Sequence, residues 1–144
     1  MRIHYIIILL LLSQFSRAQN GIKDIAVIQN KTGFLTGKLK SVQEVFRGKY
    51  SRWPANNLQT TIVLPSSKNP SASTVAAVIY NSSVKEMQKF WLSIVFQGRA
   101  NPPVFLDTDA EIIQYVLKNP GAIGVVSSEY RKTAEDKYFF LFLE

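Results

Sequence analysis

Six polar residues crowd one loop of this chain: Ser66, Ser67, Lys68, Ser71, Ser73 and Thr74. Five carry hydroxyl groups and the sixth a positive charge. The loop follows a β-branched run over residues 60–64, closed by Pro65, and leads into an alanine-rich stretch with helical character from Ala72 to about Tyr80. In α/β sheets ligands sit beyond the C-terminal ends of strands. A helix N-terminus at that place offers free N–H groups and the positive end of a dipole. Neutral donors with few carboxylates among them suit a tetrahedral oxyanion such as phosphate, which accepts many hydrogen bonds. A second polar turn, Asn30-Lys31-Thr32, follows an earlier strand. In a parallel topology it opens on the same edge and sets Asn30 and Thr32 opposite the serine-rich loop. The plainer alternative is that these residues are caps and turn formers, with Ser71 as N-cap of the helix that starts at Ala72.

Most reaction chemistry is excluded by composition. The one histidine, His4, lies in the first few residues, and the chain has no cysteine. Beyond His4 neither a Ser-His-Asp nor a Cys-His nucleophile can be assembled, nor a zinc site built on cysteine or histidine. The four aspartates and six glutamates show no paired motif. The sequence therefore points to no catalytic residue, no metal ligand set and no cofactor, and to a binding protein rather than an enzyme.

Residues 1–18 read as a secretory signal peptide. Arg2 and His4 precede an apolar run over residues 5–12, and Ser16-Arg17-Ala18 places small residues two apart before Gln19. The run is too short to cross a bilayer, which needs roughly 20 residues. Cleavage is expected after Ala18, releasing a single domain over residues 19–144. No cysteine follows that could carry a lipid. Fifteen of the seventeen Lys and Arg and all ten Asp and Glu remain, a net charge of about +5. A domain of this size buries about two-thirds of its unfolded surface and needs no disulfide. Export without disulfides fits a bacterial periplasm or surface, so the localisation read here is periplasmic or secreted, with no stable membrane insertion after cleavage. The positive balance tolerates anionic ligands, but no Lys/Arg run is dense enough to argue for nucleic acid.

The elements that must position the polar loops follow from periodicity. Residues 24–29 form a first strand, and Leu39, Val42, Val45 and Phe46 line one face of a helix stopped by Gly48. Ser83 with Glu86, and Thr108 with Glu111, are capping boxes at the starts of two more helices. Residues 122–126 are a continuous apolar run, expected of a strand covered on both faces. Val104–Leu106 is a short strand at best, and residues 137–143 form the last. Strands alternating with helices imply a three-layer helix-sheet-helix α/β domain with a mainly parallel sheet.

Six elements in order resemble the second lobe of type 2 periplasmic binding proteins, in particular the phosphate-binding components of ABC uptake systems. They are Phe46-Arg47-Gly48-Lys49, Trp53-Pro54, the loop over residues 66–74, Phe90-Trp91, Phe96-Gln97-Gly98-Arg99-Ala100-Asn101-Pro102-Pro103, and Pro120-Gly121-Ala122-Ile123-Gly124. The resemblance runs from about Asp24 to Ser128. It implies a single lobe of that fold and phosphate or another small oxyanion as ligand. It also implies an ABC permease or a second binding lobe as partner. Phosphate binders of this kind commonly carry a Ser-Gly-Thr-Arg element at the serine-rich loop, whereas no arginine stands here between Arg52 and Arg99. Trp53 and Trp91 read as core or lobe-packing aromatics. An alternative role is that of a ligand-free docking module contacting its partner through Tyr50, Trp53 and the strand over residues 138–142.

Overall fold

A computed structural model describes residues 21–35, 37–132 and 139–142. The expected signal peptide and its expected cleavage point lie outside the described residues, as do Tyr138 and the ends of the last expected strand. Among the described residues the elements run β1 (Ile25–Gln29), α1 (Leu39–Phe46), β2 (Thr61–Pro65), α2 (Ala72–Tyr80), α3 (Val84–Phe96), β3 (Val104–Leu106), α4 (Asp109–Lys118), β4 (Ala122–Ser127), a 3-10 turn (Ser128–Lys132) and β5 (Phe139–Phe142). Both capping boxes form: each hydroxyl accepts from the backbone N–H three residues on, and each glutamate accepts from its cap residue. Ser71 does not cap α2. Its backbone is already helical and its side chain makes no capping bond; the Asn69 side chain accepts from Ser71 N–H instead, at 2.8 Å.

The five strands form one sheet in the order β3-β2-β4-β1-β5. β2 pairs parallel with β3 and β4. β1 pairs antiparallel with both β4 and β5. Four strands thus run in one direction, the mainly parallel sheet expected, and β1 runs against them.

The pleat sends alternate side chains of each strand to opposite faces. Ile25, Val27, Ile62, Leu64, Ile123 and Val125 meet the buried residues of α1, α2 and α3 on one face. Ala26, Ile28, Val63, Ala122 and Val126 meet Ile112 and Val116 of α4 on the other. Gly124 permits the second contact: a Cβ there would stand 2.8 Å from Ile112 Cγ2. Gly121, at φ +89°, turns the chain from α4 into β4 where any side chain would strike the Gln59 carbonyl.

Both tryptophans are buried and hydrogen-bonded, as core aromatics must be. Trp53 Nε1–H donates to the Gly121 carbonyl at 2.7 Å, so Trp53 is not a surface for docking. Trp91 Nε1–H donates to Tyr80 Oη at 2.8 Å, and Tyr80 Oη–H donates in turn to the Phe46 carbonyl at 2.7 Å. This relay joins α1, α2 and α3 under the sheet.

Burial pushes the Tyr80 phenol above its ordinary value of 10.0. Below that value both the folded and unfolded phenol hold the proton. Above it the unfolded chain releases the proton while the folded one keeps it, so stability falls as pH rises. Tyr80→Phe strands the Trp91 N–H and is expected to cost about 1–3 kcal/mol at neutral pH. In urea unfolding, the gap between wild type and variant narrows once pH passes about 10; a gap independent of pH contradicts the assignment.

Candidate functional site

Strand direction decides which loops share an edge. The C-terminal ends of β2, β3 and β4 lie at one edge of the sheet, and because β1 is reversed it is its beginning, not its end, that joins them: Ile25 is paired with Ser127. The turn after β1 is at the opposite edge, beside Ile123 and Ala122. This corrects the expectation that Asn30 and Thr32 face the serine-rich loop.

At that opposite edge both residues have structural work. Asn30 Nδ2 donates to the carbonyls of Val116 and Leu117 at 2.9 and 3.1 Å, satisfying free acceptors in the last turn of α4. Buried Thr32 donates to the Gln29 side chain and accepts from Phe34 N–H.

The serine-rich loop divides in two. Ser66 donates to Asp107 and accepts from Lys68 N–H. The Lys68 ammonium lies 4.0 Å from the Asp107 carboxylate on an 80 % exposed side chain, a weak surface pair. Ser67 and Ser73 are exposed. Ser71 and Thr74 alone of the eight sequence candidates line an open cleft of about 750 Å³ over the strand ends. Asn69, Thr108 and Asp109 line it with them, together with Asp24, Ser127, Ser128, Glu129 and Tyr130.

Asp109 organises this cleft. It is the first residue of α4 and only 9 % exposed. Its Oδ1 accepts from Asn69 Nδ2 at 3.0 Å. Its Oδ2 accepts from Ser71 Oγ–H at 3.0 Å and from Ser127 N–H at 2.7 Å. One carboxylate thus ties the loop after β2 and the end of β4 to the start of α4, at the positive end of that helix's dipole. The hydroxyl, the amide and the backbone N–H that it receives are the kinds of donor an oxyanion takes. The charged groups in the cleft lining, among the described residues, are Asp24, Asp109 and Glu129, all acidic. An oxyanion bound at Ser71 would stand about 4 Å from the carboxylate, where like charges repel by about 4 kcal/mol at an effective dielectric of 20.

Asn69, Asp109 and Ser127 were not singled out from the sequence. The signal was present: the rule that drew attention to the end of β2 applies equally to the ends of β3 and β4, where Thr108-Asp109 and Ser127-Ser128 stand.

No protein family and no curated protein matches the sequence. Solved structures do match the fold. PstS from Borrelia burgdorferi superposes with a TM-score of 0.61 at 14% identity, over 84% of this chain and 47% of that one. A possible phosphate binding protein from Planctomyces limnophilus gives 0.58 at 13%, over 84% and 41%. A Clostridium perfringens protein described as a phosphate ABC transporter substrate-binding protein, solved with bound phosphate, gives 0.50 at 16%, over 84% and 46%. The fold is that of one lobe of such binding proteins. The chain spans less than half the length of the structures it matches, and at these identities the likeness is one of fold.

Asn30→Ala is expected to lower stability by about 1–2 kcal/mol through the lost contacts at the end of α4. Any ligand affinity of the cleft at the other edge stays unchanged. Calorimetric unfolding together with a ligand titration checks this; a changed affinity would place Asn30 in the site after all.

Proposed function

We propose that the chain is an exported, non-enzymatic binding lobe that takes a small oxyanion such as phosphate in the cleft at the C-terminal edge of the sheet. The observation that carries this reading is the position of the cleft. It opens beyond the ends of β2, β3 and β4, where a lobe of this fold can present the first turn of α2, and Ser71 and Thr74 both line it. Thr74 and Ser128 bring further hydroxyls, and the second N–H of the Asn69 amide is a further donor. Ser66, Ser67, Lys68 and Ser73 belong to the rim rather than the cleft wall in this reading. Asn30 and Thr32 have no part in it.

The open side of the cleft calls for a covering partner, either a second binding lobe or an ABC permease. Export is read from the sequence of residues 1–18, which has the layout of a signal peptide. No helix of the described residues is long and apolar enough to cross a membrane. The docking alternative retains one supporting feature that does not need Trp53 exposed: a smaller cleft of about 350 Å³ at the opposite edge, lined by Phe34 and Tyr50 over the buried Trp53, with the next residue in sequence, Leu35, 75% exposed.

Isothermal titration of phosphate and of sulfate into the purified protein tests the oxyanion reading. Ser71→Ala combined with Thr74→Val removes the two hydroxyls that the first turn of α2 and its approach bring to the cleft wall and is expected to abolish the binding heat. Binding that survives the double substitution moves the ligand to another place.

A further inference from the structure

We infer that Asp109 controls anion binding in the cleft: it is a built-in carboxylate that holds the donors an outside oxyanion needs, so that an anion binds only by displacing it. The inference rests on the proposed oxyanion site and adds how that site is controlled.

A count of protons supports it. Ser71 has one hydroxyl proton, and it is given to Asp109. Ser127 has one backbone N–H, and it too is given to Asp109. Asn69 has two amide protons and spends one there. An anion entering with Asp109 in place finds two of these three groups already committed. It also meets a buried negative charge within contact distance of both. Asp24 and Glu129 add charge of the same sign along the cleft. No Lys or Arg among the described lining residues offsets them. The Lys68 ammonium stands outside, next to Asp107.

The carboxylate has somewhere to go. The carboxylate and its three partners all stand in the wall of the open cleft, so the cleft itself is the space into which the side chain can turn. A turn of the Asp109 side chain into the cleft would free the Ser71 hydroxyl, the Asn69 amide and the Ser127 N–H together. Those three donors would then converge on one point at the start of α4. The site is thus wired for an anion and filled by one from its own chain.

Titration calorimetry with phosphate and with sulfate, on wild type, Asp109→Ala and Asp109→Asn, tests the inference at one fixed ionic strength. The alanine variant, its fold checked by circular dichroism, is expected to bind both anions at least tenfold more tightly than wild type. The asparagine variant keeps the shape without the charge and is expected to fall between them. Equal or weaker binding by a folded alanine variant overturns the inference while leaving the oxyanion site standing. No binding by any of the three proteins sinks the oxyanion site itself. Should both variants fail to fold, the Ser127 amide of wild type still decides by NMR. Its resonance must move as phosphate saturates the protein, and saturation that leaves it in place overturns displacement of Asp109.

Discussion

The direction of β1 governs the layout of this molecule. β1 is held between β4 and β5 by antiparallel ladders on both sides. Its reversal carries the start of the domain to the edge where β2, β3 and β4 end. The same reversal sends the polar turn after β1 to the far edge, against the end of α4. One edge therefore collects Asn69, Ser71, Thr74, Asp109 and Ser127. The other collects Asn30, Thr32, Gly121 and the Trp53 hydrogen bond, all engaged in closing the structure.

Much of this was legible in the sequence because it is written in local chemistry. The apolar run over residues 122–126 became a strand buried from Ala122 to Val126. The two Ser/Thr-x-x-Glu patterns became reciprocal caps, since both halves of that interaction lie within four residues. The helix spanning Ala72–Tyr80 was expected over those residues. Strand direction was not legible. Alternating burial has the same period whether a strand runs up or down, so nothing in residues 24–29 distinguishes an antiparallel neighbour from a parallel one. The role of Asn30 and Thr32 was misplaced for that reason alone.

The role of Asp109 is hidden in the sequence for a different reason. An acidic residue in the first turn of a helix is explained locally by the helix dipole, and a local explanation discourages a search for a distant one. Its partners Asn69, Ser71 and Ser127 lie 40, 38 and 18 residues away in sequence. Only the parallel arrangement of β2, β3 and β4 brings those separations together. Ser71 shows the same effect in reverse: it was expected to serve its own helix, and its hydroxyl turns instead to a carboxylate on another.

The helix α4 is fastened at both ends by side chains from other segments. At its first residue Asp109 grips the loop after β2 and the end of β4. In its last turn two carbonyls are gripped by Asn30. Between them Gly124 lets Ile112 sink onto the sheet. A rod of ten residues, about 15 Å long, is thus tied at each tip and seated on the sheet through Ile112, and the tie at Asn30 and the seat at Ile112 do not depend on what Asp109 holds. Guests of the cleft must be accommodated by side-chain rotation and by the short loop over residues 66–71, with the scaffold beneath them standing still.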